Sequence, residues 1–77
     1  MHVALIGYGK MGKALHNSLE KQGHTVGFVH ESQDAIQPSN ELLSCDVAIE
    51  FTGPENAIPN LIFCAEQGLP VVSGTTG

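Results

Sequence analysis

The sequence predicts an α/β fold: a Rossmann-like parallel sheet with helices on both faces, truncated to about four strands. Residues 3–6 are an uninterrupted apolar run, which is typical of a parallel strand covered on both faces. A Gly-x-Gly-x-x-Gly motif follows at once, from Gly7 to Gly12, where the strand should give way to a helix. Further apolar segments then alternate with helical patterns, as in β-α-β units.

The first unit is predicted as strand, helix and strand. A helical period runs from Lys10 to Gln22, and Gly23 is a suitable residue to end that helix. Residues 25–30 predict the second strand. The period also predicts which residues the helix packs through: Met11, Ala14, Leu15, Ser18 and Leu19.

The middle of the chain, residues 31–44, is polar and predicts at most one short helical turn. Ser39 or Asn40 would cap that turn. Residues 46–51 predict the third strand, and residues 71–73 predict the last one.

A second helix is predicted between those two strands. Pro54 suits its first position, and Gly68 ends it. Pro59 removes a backbone hydrogen bond, so the helix either kinks there or begins its regular part near that residue. The apolar face is predicted to consist of Ile58, Leu61, Ile62 and Ala65.

The order of elements predicts the position of a binding site. We expect the second strand on one side of the first and the third strand on the other. Ligands of such sheets bind beyond the carboxyl ends of the strands, where the strand order reverses. Three loops, residues 7–12, 52–55 and 74–77, should therefore converge on one crevice.

The glycine motif has a chemical reason at each position. Gly7 allows the tight turn, Gly9 lets a pyrophosphate approach the backbone, and Gly12 lets the helix pack closely on the strand. Free N–H groups at the helix start would hold the phosphates. The motif therefore predicts dinucleotide binding, with a purely structural glycine turn as the alternative.

Glu31 is the acidic residue expected about twenty positions after the motif, where it can accept the hydroxyls of the adenosine ribose. A carboxylate repels a 2′-phosphate, and neither Ser32 nor Gln33 supplies a cation. Of the nearby residues, His30 alone could do so. We therefore expect NADH rather than NADPH; the alternative is that Glu31 is an ordinary exposed carboxylate.

Composition argues against several classes of protein. A net charge of −5 disfavours nucleic acid as a partner, and the sequence shows no signal peptide or membrane span. Cys45 and Cys64 have no metal-ligand or disulfide spacing, and Cys64 is predicted in the core. These features predict a cytoplasmic protein without a metal site. All three lysines, Lys10, Lys13 and Lys21, lie in the first helix and concentrate positive charge near the proposed phosphate site. The alternative for Lys13 and Lys21 is an ordinary solvated helix face.

Other polar residues receive weaker predictions. None of the four histidines lies in the converging loops, so none is predicted to be catalytic. Glu50 should point to the face of its strand opposite Phe51 and have a structural or hydrogen-bonding role. The hydroxyls of Thr52, Thr75 and Thr76 lie in the crevice loops, as cofactor contacts or as ordinary turn residues.

Three segments together resemble one family: ALIGYGKMG at residues 4–12, DVAIEFTGPE at residues 46–55 and VVSGTTG at residues 71–77. The chain is similar over all 77 residues to the N-terminal part of 4-hydroxy-tetrahydrodipicolinate reductases. Three features depart from the family pattern. Glu50 stands where Asp is usual, Ser32 where a basic residue is common, and Pro59 within a helix that is usually uninterrupted.

The resemblance implies a role for each matching residue. The glycine loop would hold the pyrophosphate, Glu31 the ribose, and Phe51 and Thr52 would lie next to the nicotinamide. The loop from Gly74 would contact the nicotinamide carboxamide, and Thr76 a substrate carboxylate. The expected cofactor-binding residues are Gly7, Tyr8, Gly9, Lys10, Met11, Gly12, Glu31, Phe51, Thr52, Gly74, Thr75 and Thr76.

The resemblance also implies what residues 1–77 do not contain. They would be the N-terminal part of a dinucleotide-binding domain, with a C-terminal substrate and tetramerisation domain outside this chain. The family's proton-donating histidine and its lysine would lie there, so we predict no catalytic residue here and no reductase activity for these residues alone. The substrate would be a small dicarboxylate, and the cofactor NADH or NADPH, since the family often accepts both.

Two other functions stay open at this point. The chain could be the cofactor domain of another NAD(P)-dependent amino-acid or imine dehydrogenase. It could also be a nucleotide-binding module without chemistry, although the exposed edge of so small a sheet would invite aggregation.

Overall fold

The apolar run after Met1 forms the central strand of a parallel sheet. In a computed structural model of the protein, residues 1–31 and 35–74 are described. The elements in chain order are β1 (His2–Ile6), α1 (Lys10–Lys21), β2 (Thr25–His30), α2 (Asn40–Leu43), β3 (Val47–Glu50), α3 (Pro54–Glu66) and β4 (Val71–Ser73). These bounds differ from the predicted ones by a residue or so at the ends of β1, α1 and β3.

The strand order in the sheet is β2-β1-β3-β4, and all three pairings are parallel. The order in which strands are added to the sheet therefore reverses after β2, because β2 and β3 lie on opposite sides of β1. This confirms the predicted placement of the second and third strands. Backbone hydrogen bonds hold the carboxyl ends of these strands together: Gly7 N donates to His30 O at 2.8 Å, and Phe51 N donates to Ile6 O at 3.0 Å.

The two faces of the sheet are covered by different helices, which confirms the predicted fold class. Ala4, Ile6 and Ala48 belong to a core that includes Leu42 of α2 and Cys64 of α3. Strand alternation sends Val3 and Leu5, both buried, to the opposite face. Helix α1 lies on that opposite face, because its residue Gly12 meets the ring of Phe51, which alternates with Glu50.

Helix α1 packs through a face one residue away from the predicted one. Met11 is 67% exposed, and Ala14 and Ser18 are exposed too, so that part of the prediction is wrong. Gly12 is buried, and Leu15 and Leu19 are half-buried. The physical reason is close packing at Gly12, which draws the helix toward the sheet at that position and turns Met11 to solvent.

Helix α3 begins at Pro54 and continues through Pro59, so it does not start near Pro59. Its predicted face is also wrong: Ile58 is 65% exposed and Ile62 is 53% exposed. Ala65 is exposed and Leu61 is half-buried. Small side chains, Ala57 and Cys64, occupy the buried positions instead. They are seven residues apart, which is two turns on one helix face.

The short helix α2 and the helix ends follow the sequence signals. Ser39 caps α2, since its Oγ accepts a hydrogen bond from Leu42 N at 3.2 Å. Gly23 and Gly68 follow α1 and α3 with φ of 89° and 73°, values that glycine adopts readily. Within the part of the chain that the structure describes, no helix is both long and apolar enough to cross a membrane.

Candidate functional site

A cleft of about 340 Å³ lies at the carboxyl ends of the strands, where the strand order reverses. This volume lies within the range typical of pockets that bind small molecules. The lining residues come from the connections after β1, β2 and β3 and from the first turn of α3. They are Gly7, Tyr8, Gly9, Glu31, Phe51, Thr52, Gly53 and Asn56.

Six of the predicted cofactor-binding residues line this cleft, and four others that the structure describes do not. Gly12 is buried behind the loop, while the side chains of Lys10 and Met11 are exposed at the start of α1. Gly74 follows β4, and its N–H donates to Glu50 O at 2.6 Å. Thr75 and Thr76 lie outside the described residues.

Two lining residues, Gly53 and Asn56, were not predicted as site residues. Gly53 is the N-cap of α3, and Asn56 lies in the first turn of that helix. The start of a helix could have predicted them, since the first turn of a helix after a parallel strand faces the ligand side of the sheet. Asn56 brings a half-buried amide to the cleft wall.

Gly7 and Gly12 are required by the packing of the protein itself. Gly7 has a φ of 104°, and a Cβ there would lie 3.3 Å from backbone atoms of Phe51. A Cβ on Gly12 would lie 2.7 Å from Phe51 Cε2 and 2.9 Å from Gly7 O. Both positions therefore exclude a side chain by contact with neighbouring atoms.

Gly9 is different, because no neighbouring atom excludes a side chain there. Its backbone is extended, with a φ of −79° and a ψ of −154°, so it lacks the positive φ that favours glycine, and a Cβ would meet nothing within 4 Å. Gly9 also lines the cleft. The missing side chain leaves open backbone on the ligand side of the loop.

The start of α1 presents backbone N–H groups at this open surface. Among the described residues, no side chain caps the helix, and its first turn contains no acidic residue. No carboxylate in the first turn of the helix therefore balances the positive end of its dipole. Lys10 and Lys13 add positive charge to the same end. This arrangement suits an anion such as a phosphate group.

Glu31 lies across the cleft from α3, directly after β2. It is exposed and lines the cleft together with the glycine loop. Its carboxylate is therefore available to accept hydrogen bonds from a ligand that extends from the start of α1. The adjacent positions 32–34 lie outside the described residues.

Tyr8 is held in the loop by a contact that the sequence did not predict. Tyr8 Oη and His16 Nδ1 share a hydrogen bond of 2.6 Å, and the two rings meet edge to face. His16 Nε2 in turn lies 3.2 Å from Glu20 Oε2. Because Tyr8 lines the cleft, helix α1 fixes one of its walls through this chain of contacts.

Glu50 is fully buried at the end of β3, on the side of the sheet that α3 covers. Its carboxylate accepts hydrogen bonds from Thr52 and Ser73. This confirms the predicted hydrogen-bonding role. Cys64 lies nearby, and burial together with the negative charge of Glu50 raises the pKa of its thiol above the ordinary 9.0.

No metal centre emerges from the described ranges: there, no group of three or more His, Cys, Asp and Glu side chains could hold an ion. The residues that line the cleft instead carry backbone N–H groups, one exposed carboxylate, two hydroxyls and an amide. Such a set can bind a phosphate group and sugar hydroxyls without a metal.

The family described as dihydrodipicolinate reductase, N-terminus, matches residues 1–77. The chain belongs to the dihydrodipicolinate reductase family. The family match confirms the resemblance that the three sequence segments suggested. It also agrees with the observed fold, four parallel strands with helices on both faces.

Proteins named 4-hydroxy-tetrahydrodipicolinate reductase are similar to this member of the dihydrodipicolinate reductase family. The protein from Christiangramia forsetii is 36% identical over 77 residues, which are all of this chain and 32% of the relative. That from Staphylococcus epidermidis is 38% identical over 85 residues, covering all of this chain and 34% of the relative. That from Xanthomonas euvesicatoria is 56% identical over 83 residues, covering 90% of this chain and 34% of the relative. The chain thus spans about a third of the length of these relatives.

Proposed function

We propose that these residues form the NAD(P)H-binding part of a 4-hydroxy-tetrahydrodipicolinate reductase. The observation that carries the proposal is the open backbone at Gly9 beside the uncapped start of α1. Neither a steric contact within the described residues nor a positive φ explains a glycine there, whereas a bound pyrophosphate does. Family membership favours this reductase over another amino-acid or imine dehydrogenase and over a module without chemistry.

The cleft supports a specific arrangement of the cofactor. The start of α1 would hold the pyrophosphate, and Glu31 would accept the hydroxyls of the adenosine ribose. Phe51 and Thr52 would lie beside the nicotinamide. The proposed roles of Thr75 and Thr76, the latter toward a substrate carboxylate, stay predictions.

When bound, the reduced nicotinamide supplies a hydride to the substrate. The residues of this chain would bind and orient the cofactor, and the proton donor and substrate cations would come from another part of the protein. The reaction would convert 4-hydroxy-tetrahydrodipicolinate to tetrahydrodipicolinate in lysine and diaminopimelate biosynthesis. A homotetramer in the cytoplasm, with no nucleic acid or membrane partner, also stays a prediction.

The exposed carboxylate of Glu31 supports NADH over NADPH. The 2′-phosphate of NADPH would lie next to this carboxylate, and the two negative charges would repel each other. The preference is one of degree, because Glu31 is exposed to solvent and water screens the repulsion.

The test compares NADH binding to the complete gene product and to its Gly9→Ala variant by calorimetry. The added Cβ meets no protein atom, so the free energy of unfolding should stay within about 0.5 kcal/mol of wild type. NADH affinity should fall at least about tenfold, because the methyl group occupies the space of the pyrophosphate.

Ser18→Ala is the matched control, since Ser18 lies on the exposed side of the same helix. It should bind NADH like wild type. Equal NADH affinity of wild type and Gly9→Ala would overturn the proposed binding mode. Consumption of NADH in the presence of 4-hydroxy-tetrahydrodipicolinate then tests the reaction itself.

A further inference from the structure

The buried carboxylate of Glu50 connects the two segments that leave the sheet on the α3 side of the cleft. Glu50 Oε2 accepts hydrogen bonds from Thr52 N, at 2.8 Å, and from the Thr52 hydroxyl. Glu50 Oε1 accepts one from Ser73 Oγ at 2.9 Å. One side chain thus joins the connection after β3 to the end of β4.

Backbone contacts at the same point strengthen this connection. Gly74 N donates to the carbonyl oxygen of Glu50, so both the side chain and the main chain of Glu50 hold the end of β4. Glu50 is 0% exposed, whereas Thr52 lines the cleft. Glu50 therefore acts on the cleft from behind its wall.

The hydrogen bonds fix the orientation of Thr52. Its backbone N–H and its hydroxyl hydrogen both point to Glu50, and Asn60 Nδ2 donates to its Oγ1 at 3.3 Å. The methyl group, Cγ2, is directed toward Gly7, where it would lie 3.3 Å from an added Cβ. Thr52 therefore contributes its shape to the wall of the cleft, and its N–H and hydroxyl donors point to Glu50 rather than to a ligand.

We propose that Glu50 is a positioning residue for the nicotinamide half of the cofactor, acting through Thr52 without touching the ligand. This inference rests on the proposed function, in which Thr52 lies beside the nicotinamide. A buried carboxylate is costly unless it is well hydrogen-bonded, so a role in holding the cleft gives a reason for its presence.

The decisive variant is Glu50→Leu, which keeps a buried side chain of similar size and removes every acceptor. Glu50→Gln is its conservative partner, because the amide can accept from Thr52 and donate to Ser73 Oγ. Each variant of the complete gene product is titrated with NADH and with ADP-ribose, which lacks the nicotinamide.

For Glu50→Leu we expect NADH to bind about tenfold more weakly, while ADP-ribose affinity changes by less than about twofold. Glu50→Gln should recover most of the NADH affinity. An equal loss for both ligands, or no loss for either, would overturn the positioning role.

Leu42→Ala is the stability control, because Leu42 is fully buried in α2 and does not line the cleft. It should lower the melting temperature without changing the ratio of NADH to ADP-ribose affinity. A wild-type protein that binds neither ligand would instead overturn the proposed function, so the two failures are distinguishable.

Ser73→Ala keeps the test available where Glu50→Leu does not fold. It removes the hydroxyl that donates to Oε1 and should weaken NADH binding about threefold, with ADP-ribose unchanged. Ser44→Ala removes a comparable serine hydrogen bond, to Asn40 O, away from the cleft. Identical NADH affinity in Ser73→Ala and Ser44→Ala would contradict the inference.

Discussion

The ring of Phe51 lies against the backbone of Gly12, so closely that a Cβ on Gly12 would be 2.7 Å from Phe51 Cε2. The contact joins the start of α1 to the residue that follows β3. The last glycine of the motif thus has a packing role, and the aromatic ring next to the cleft depends on it.

Replacing Gly12 by Ala should destabilise the protein by about 1–3 kcal/mol, because the methyl group overpacks the site. Gly7 O, 2.9 Å from the added Cβ, is backbone and cannot move aside as a side chain could. Urea unfolding of the complete gene product measures the change. Adding Phe51→Leu should restore part of the stability, since leucine lacks the ring atoms that clash. A Gly12→Ala protein as stable as wild type would contradict this packing.

Replacing Glu31 by Gln should raise the ratio of NADPH to NADH affinity about tenfold, because the charge that repels a 2′-phosphate is removed. Fluorescence titration with each cofactor measures the ratio. Glu41→Gln makes the same change of charge on an exposed residue of α2. Glu41 does not line the cleft, so this control should leave the ratio near that of wild type. A similar ratio in both variants would argue against a ribose contact by Glu31.

Replacing Pro59 by Ala should stabilise the protein by about 1–3 kcal/mol. Pro59 lies inside α3, where it lacks the N–H of a regular helix, and it is exposed, so little packing is lost. Thermal unfolding measures the gain. Pro38→Ala, at an exposed proline outside the helices, should give no such increase. A lower melting temperature for Pro59→Ala would show that the proline is needed for the shape of α3.

The buried thiols predict a loss of stability in alkali. Burial is the main cause that raises the pKa of the Cys64 thiol above 9.0, and the charge of Glu50 adds to it. The unfolded chain therefore ionises first, so this contribution to stability is fully present below about pH 9 and is lost as pH rises toward the folded-state pKa.

Urea unfolding at about pH 8 and pH 10 checks this expectation. Cys64→Ala should show a smaller decrease than wild type between the two values. Cys45 gives a second contribution of the same sign, since burial and then the charge of Asp46 raise the pKa of its thiol. Equal decreases in wild type and Cys64→Ala would show that the Cys64 thiol is not responsible.

Local signals predicted most of the fold. The glycine motif, the Ser39 cap and Pro54 at a helix start act within a few residues, and the structure has each where the sequence predicted it. Helix faces were less predictable, because they depend on the partner surface. Ala57 is buried and Ile58 exposed because α3 approaches the sheet through small side chains, a preference that apolar periodicity does not reveal.

The candidate site shows the same limit. The loops that form it were predicted from the strand order, but the contacts within it were not. Tyr8 meets His16 two turns along α1, and Glu50 meets Ser73 at the end of another strand. Both contacts depend on side-chain directions that are set only when the helices and strands have packed together.

The central position of β1 has a consequence for the order in which the molecule folds. Its neighbours in the sheet are β2 on one side and β3, much later in the chain, on the other. At the start of the β1–β3 pairing, His2 N donates to Asp46 Oδ2 across 44 positions of sequence. Pairing strands that lie so far apart in the sequence is slow compared with forming a helix such as α1. The cleft needs the loops after both β1 and β3, so binding competence should be acquired late in refolding. NADH added to a refolding sample would then report the completed sheet, while circular dichroism would detect the helices earlier.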